Sequence, residues 1–310
     1  MRKNALRIGK GGELKISPLS PGFAGEVTGI DCRKPLTAAQ VRSIEAGMDR
    51  FAVLVFHDQP FEDDEQLRFA VHFGEIEGGG YGTSRIHFRT EQEARPLRPG
   101  IGDFSNIDAQ GKPLSAQSRA HQFKLADRLW HSDSSFKRIP AKYSMLSGRS
   151  IPSWGGNTEF ADMRAAYNAL DDRTRAMVED LVCHHSQMYS REKVGFSELS
   201  DAERQAFKPV RQQLVRVHPV TGRKSLFLSS HAGFIESMSL PEARMLLVEL
   251  TEFATQQRFV HSHVWRVNDF VVWDNRVTMH RGRRFDTNEP RDMRQTRLAG
   301  SGPTVEQIAA

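Results

Sequence analysis

Three short segments of this chain carry side chains that could do chemistry together. Trp130-His131-Ser132-Asp133 sets an imidazole and a carboxylate two residues apart. If the segment is extended, residues i and i+2 point to one side, so His131 and Asp133 could share one cation. Far downstream, Trp273-Asp274-Asn275-Arg276-Val277-Thr278-Met279-His280 offers a second imidazole, just after the apolar run Asp269-Phe270-Val271-Val272-Trp273. Two histidines and one carboxylate leave three coordination positions open, the arrangement of non-heme Fe(II) oxygenase sites. Two open positions could take a bidentate cosubstrate and the third O₂. A closed structural zinc site commonly uses cysteines, and the chain has only Cys32 and Cys183. An H-x-D pair on its own also fits a turn in which Asp133 caps a neighbour and His131 is merely polar. His261-Ser262-His263, His184-His185, His218 and His231 compete, and read as surface or hydrogen-bonded core residues.

A third element is rich in arginine: Arg291-Asp292-Met293-Arg294-Gln295-Thr296-Arg297-Leu298. As a strand it would place Arg291, Met293, Gln295 and Arg297 on one face. Arginine binds carboxylates through a planar fork that lysine lacks, so an inward arginine near a metal could anchor a dicarboxylate. The plain alternative is a solvated basic strand. Arg281, Arg283, Arg284 and Arg294 are assigned to solvent or to structural ion pairs.

These segments must be held by a framework. The chain has 310 residues, 38% hydrophobic and 26% charged, with 19 phenylalanines, enough for a sizeable core and against wholesale disorder. No apolar run approaches the ~20 residues of a membrane helix, and the basic start Met1-Arg2-Lys3 has no apolar stretch behind it. With two cysteines and no disulfide framework, a reducing cytoplasm is the expectation. The net charge of +5 is scattered, with a mild excess in 85–98, and makes no stripe for nucleic acid. Residues 12–31 read as strand and turn. Thr37 caps a helix over 38–48, Phe51–Phe56 is a buried strand, and Phe61–Phe73 is a helix with Leu67, Phe69, Ala70 and Phe73 inward. Strand-like segments return near 142–151, 214–218, 225–229 and 270–273, and helical patterns at 163–182 and 240–257. From Gly78 to Lys124 no period is visible, which suggests a functional loop or lid. The expected architecture is one α+β domain over 1–310.

Leu129-Trp130-His131-Ser132-Asp133-Ser134-Ser135-Phe136, Gly155-Gly156-Asn157-Thr158-Glu159-Phe160, Asp162-Met163-Arg164-Ala165-Ala166-Tyr167 and Trp273 through Arg284 together resemble the taurine/2,4-dichlorophenoxyacetate dioxygenase family. The resemblance runs from Gly25 to about Thr296 and lies nearest the aryloxyacetate branch. It implies a double-stranded β-helix, or jelly-roll, with helical insertions, a variable substrate loop at about 78–124, and a dimer or tetramer. It also implies Fe(II), with 2-oxoglutarate and O₂ as cosubstrates. By motif position it carries over His131, Asp133 and His280 as iron ligands. Thr158 and Arg291, the latter eleven residues after His280, carry over as contacts to the far carboxylate of 2-oxoglutarate, with Trp273 packed beside them.

One departure stands out. Family members acting on taurine or aryloxyacetates have a second arginine fifteen residues after the distal histidine, and Gln295 stands there. Losing a charge-assisted contact costs about 1.5–3 kcal/mol. The substrate anion is then expected to be weaker, larger, or held elsewhere, with Arg85, His87 and Arg89 in the loop as candidates and Arg297 as another, although Arg297 reads first as a surface arginine at the strand end. The expected activity is hydroxylation of a small aromatic or carboxylated molecule, with aryl-ether cleavage if the oxidised carbon bears the ether oxygen. The rivals are a hydroxylase of a sulfonate or natural metabolite, and an idle ligand-binding relative.

Overall fold

The computed structural model describes residues 13–78 and 89–307. The chain opens with the hairpin β1 (Lys15–Ser20) and β2 (Phe23–Thr28), then α1 (Ala38–Phe51), β3 (Val53–Phe56), α2 (Asp63–Ala70), β4 (Gly102–Asp103) and α3 (Arg119–Lys124). Next come β5 (Ala141–Ser150), β6 (Thr158–Asp162), α4 (Met163–Asn168), α5 (Asp172–Val178), β7 (Val182–His185), α6 (Gln187–Lys193) and α7 (Asp201–Ala206). The last part is β8 (Val210–Gln213), β9 (Val215–Val217), β10 (Lys224–Leu226), β11 (Ala232–Ile235), α8 (Leu240–Ala254), β12 (Val260–His263), β13 (Phe270–Asp274), β14 (Thr278–Gly282) and β15 (Asp292–Ala299).

The main sheet has the order β1-β2-β3-β13-β5-β15-β4, and a three-stranded sheet, β12-β6-β14, carries the second set of inward side chains. Both faces of β13 are covered. Phe270 and Val272 join Leu54, Phe56 and Met145 against Ile44, Met48 and Phe69 of α1 and α2. Val271 and Trp273 turn the other way, toward Val53, Val55, Leu146, Met293 and Phe160. Burial on two faces is why this strand reads as a continuous apolar run rather than an alternation. A third cluster packs Leu247 and Leu250 of α8 on Met163, Ala166, Ile235 and Met279. Cys32 and Cys183 are both buried and free. Among the described residues no helix is long and apolar enough to cross a membrane.

Local chemistry fixes the boundaries. Thr37 and Gln40 form a capping box at α1, as do Ser239 and Glu242 at α8, satisfying helix N–H groups that would otherwise lack partners. The buried strand expected from Phe51 starts later: Phe51 closes α1, and Ala52 turns with φ +60° before β3. The second helix is shorter than its pattern. Gln66, not Leu67, faces inward, fully buried and bonded to Ser147 Oγ, Arg294 O and Thr296 Oγ1. The helical pattern at 163–182 breaks into α4 and α5, because Asp171 caps a new helix at Thr174. The supposed loop from 78 to 124 is not structureless throughout. β4 pairs with β15, and Ser118 caps α3, which buries Ala120 and Phe123.

Candidate active site

His131 and His280 are tied through the backbone. His131 N donates to His280 O at 2.9 Å, and His280 N to His131 O at 2.8 Å. This pair lays the His131–Asp133 segment beside β14, and Ser132 Oγ adds a bond to Thr278 O at 2.9 Å. Ser134 then turns with φ +54°. The side chains of His131, Asp133 and His280 converge: each imidazole Nε2 is 3.8 Å from a different Asp133 oxygen. One ligand atom from each lies within 4.8 Å of the others, and all three residues are buried. His131 Nδ1 faces the Leu129 carbonyl at 2.8 Å, which leaves Nε2 for the shared centre. Burial first, then His131, pushes His280 down to about 3, so its imidazole is neutral and its lone pair available. Burial opposes the charge on Asp133, but the groups around it, His280 and Arg297 foremost, hold its carboxyl below the usual range.

Asp133 is oriented by a relay that the sequence did not reveal. Ser144 Oγ, on β5, donates to Asp133 Oδ2 at 2.7 Å, and Asn275 Nδ2 donates to Ser144 Oγ at 2.8 Å. Asn275 Oδ1 accepts from Trp273 Nε1 at 3.0 Å and from Asp133 N at 3.2 Å. Gln295 Nε2 donates to the same Asp133 Oδ2 at 3.0 Å. Gln295 therefore fixes a carboxylate of the chain; the sequence had set it against the substrate. With Oδ2 engaged twice, Oδ1 is the oxygen left to bind a cation.

A cavity of about 130 Å³ opens beside the three residues, lined among others by Thr158, Trp273, Leu146, Lys124, Gln295 and Arg291. Thr158 begins β6 and accepts a 2.9 Å hydrogen bond from Trp265 Nε1, so its own hydroxyl proton can point to a ligand. Trp273 packs 4.7 Å, centroid to centroid, from the His280 ring. Arg291 precedes β15. Its backbone N is held by Asn106 Oδ1 at 2.7 Å, and its guanidinium lies 5.2 Å over the Phe285 ring and bonds the Phe104 carbonyl at 3.3 Å. No carboxylate pairs with it among the described residues, and burial alone pushes it down to about 10. A buried guanidinium without a counter-charge is costly unless an anion comes to it. The loop that carries Phe285 reaches this place past Gly155, where φ is +72° and a Cβ would lie 2.2 Å from Arg284 O; only glycine fits there.

The remaining expectations divide. Arg85 and His87 lie outside the described residues. Arg89 does not line the cavity; it bonds the carbonyls of Glu93, Ser105 and Ile107 and pairs with Asp103 at 3.2 Å. A loop with few apolar side chains needs such ties. Arg297 is not a surface residue: its side chain is 11% exposed and pairs with Glu77 at 3.0 Å. Arg281 pairs with Glu159, and Arg294 with Asp292 and Asp103, as structural ion pairs, whereas Arg284 is exposed. The competing histidines have other work: His263 meets Asp269, His184 meets Glu236, and His218 meets Asp274. Lys124 went unnoticed in the sequence. It lines the cavity, donates to Asp103 O and Ser105 O, and is lowered to about 8 by burial.

The model of the taurine catabolism dioxygenase TauD, TfdA family matches residues 15–297. The chain belongs to that family. It is 43% identical to the alpha-ketoglutarate-dependent 2,4-dichlorophenoxyacetate dioxygenase of Cupriavidus pinatubonensis, over 90% of this chain and 95% of that one. It is 34% identical to the (S)-phenoxypropionate/alpha-ketoglutarate-dioxygenase of Delftia acidovorans, over 94% and 97%. The crystal structure of AAD-2 with Mn(II) and N-oxalylglycine superposes with a TM-score of 0.86 at 54% identity, covering 95% of this chain and 99% of that one. The protein is an Fe(II)- and 2-oxoglutarate-dependent dioxygenase of mixed α and β structure. The residues present fit both groups. Two imidazoles and a carboxylate suit Fe(II) with positions left open, and the uncompensated guanidinium suits a dicarboxylate.

Proposed function

We propose that His131, Asp133 and His280 hold Fe(II), and that the dioxygenase acts on an aryloxyalkanoate or a close aromatic carboxylate in a jelly-roll domain spanning residues 1–310. The observation that carries the reading is one cavity lined by His131 and His280 of the buried three-ligand cluster, by Thr158, and by Arg291, whose guanidinium has no carboxylate partner among the described residues. When bound, the iron and 2-oxoglutarate supply O₂ activation, with succinate and CO₂ as the cosubstrate's products. The chain supplies the rest. Arg291 and the Thr158 hydroxyl bind the far carboxylate of 2-oxoglutarate and fix its direction. Trp273 and Leu146 wall the cavity and keep water away. Ser144 and Gln295 hold Asp133 in one orientation, as partners of metal ligands do elsewhere.

Hydroxylating the carbon between the carboxylate and the ether oxygen gives a hemiacetal. It collapses by breaking its C–O bond, with the hydroxyl proton passing to the departing phenolate, into a phenol and an oxo acid. The relatives named for 2,4-dichlorophenoxyacetate and (S)-phenoxypropionate support this substrate class. The experiment is turnover of a panel of aryloxyalkanoates, arylcarboxylates and sulfonates with Fe(II), 2-oxoglutarate and O₂. One phenol per succinate for the aryloxyalkanoates is the expected result. Succinate without phenol from that group, or coupled succinate only from sulfonates, would overturn it.

A further inference from the structure

The strand face that carries Gln295 continues to Arg297, and there one of the chain's own carboxylates fills an anion site. Glu77 Oε2 lies 3.0 Å from Arg297 Nε and 3.2 Å from Lys137 Nζ, and accepts a hydrogen bond from Ser134 Oγ at 2.9 Å. Three donors converge on one oxygen, while Glu77 Oε1 is buried with no hydrogen-bond partner. The cluster is inside the protein: the Glu77, Arg297 and Lys137 side chains are 9%, 11% and 21% exposed. It also abuts the metal-ligand cluster, since Ser134 directly follows Asp133.

Two arguments turn this cluster into a substrate site. The first is geometric and rests on the aryloxyalkanoate reading above. The carbon to be oxidised in such a molecule bears the carboxylate itself, so the anion must be held close to the metal, away from the Arg291 end that 2-oxoglutarate takes. Gln295, one pleat nearer Arg291 on the same strand face, is committed to Asp133. The second is electrostatic. Two cations face Glu77, with Asp133 as the other nearby anion. A divalent ion bound to Asp133 takes up that charge, which lowers the repulsion that Asp133 exerts on a second anion there.

We propose that Arg297 and Lys137 bind the substrate's carboxylate and that Glu77 stands in for it when no substrate is present. Substrate then displaces Glu77 and takes over the Ser134 hydroxyl as well. The clamp is moved two residues along the strand from Gln295, and the site remains selective for anions.

The test compares each aryloxyalkanoate with its uncharged primary amide, in the wild type and in Arg297→Gln, Lys137→Met and Glu77→Gln. The visible band of the anaerobic Fe(II)–2-oxoglutarate complex reports folding and cofactor binding in every variant. Arg297→Gln should raise KM for the carboxylate about ten- to a hundredfold, the loss of one charge-assisted contact, with the amide and 2-oxoglutarate unchanged. Lys137→Met should do the same to a lesser degree. Glu77→Gln should move the other way and lower the carboxylate KM, because it removes the competitor; a merely structural role for Glu77 would raise it. If Arg297→Gln does not fold, Lys137→Met and Glu77→Gln decide. A wild type that treats carboxylate and amide alike overturns both this site and the substrate class. A wild type that prefers the carboxylate, with variants that keep its full preference, overturns the site alone.

Discussion

The two walls of the cavity are built by different means. The wall that bears His131, Asp133, His280 and Thr158 hangs on sheet hydrogen bonds: the reciprocal His131–His280 pair, β6 against β14, and β5 against β13. The wall from Phe104 to Lys124 has little ladder of its own beyond β4, which runs into it. It is held by charges. Arg95 meets Asp292 at 3.0 Å, Arg294 meets Asp292 at 2.7 Å and Asp103 at 3.2 Å, and Arg89 meets Asp103 at 3.2 Å. The difference teaches where the protein spends rigidity. Metal ligands need fixed geometry, which a backbone ladder gives cheaply. A wall that faces variable ligands can be tied by side chains, and it is then sensitive to single substitutions.

The largest effect should come from cutting the charged wall at its most buried tie. Arg294 is 3% exposed. Arg294→Met takes from Asp292 its 2.7 Å partner and from Asp103 one of its two at 3.2 Å, and should cost about 3 kcal/mol. Denaturant unfolding should show that loss, while at low temperature the Fe(II)–2-oxoglutarate band persists. Next is Arg291→Leu, which should raise KM for 2-oxoglutarate about ten- to a hundredfold and leave thermal stability unchanged or higher, since it removes an uncompensated charge. An unchanged KM would mean that 2-oxoglutarate is anchored elsewhere in the cavity, with Lys124 the next candidate. On the strand wall, Gln295→Leu should weaken Fe(II) binding about tenfold, the usual cost of losing a partner of a metal ligand, with KM for 2-oxoglutarate constant. Calorimetric metal titration reads this.

The smallest effect is in pH. The Asp269 hydrogen bond raises His57 above its ordinary value, so its contribution is present below about pH 6.5 and lost as pH rises through the raised value. Asp269 is opposed by burial but held at about 2 by His263 and His57. Its contribution is present above about pH 4 and lost as pH falls toward 2. Stability should therefore show a shallow maximum between about pH 4 and 7, of roughly 1 kcal/mol for a part-exposed pair. Asp269→Asn should flatten it.

The same division decides what could be read in the sequence. β13 announces itself as an apolar run because both its faces are buried. His131 and Asp133 announce themselves by their spacing and the motifs around them, and Arg291 by its motif position eleven residues after His280. These are local patterns. Ser144, Asn275 and Gln66 are single polar residues in ordinary-looking elements, and they gain their roles only from partners far away in sequence. Lys124 looked like the end of an irregular stretch because its helix is short and its contacts are to loop carbonyls. The Gln295 substitution was visible, but its consequence was not. A missing charge suggested a lost substrate contact, whereas the amide bonds to Asp133, and the next charged residue on that strand face is Arg297.

The most direct test of the central assignment is anaerobic reconstitution with Fe(II) and 2-oxoglutarate, in the wild type and in His280→Ala, read by the visible charge-transfer band of the chelated complex. The band should form in the wild type and vanish in the variant, whose circular dichroism stays unchanged. A full-strength band in His280→Ala would contradict the assignment of His131, Asp133 and His280 as the iron ligands.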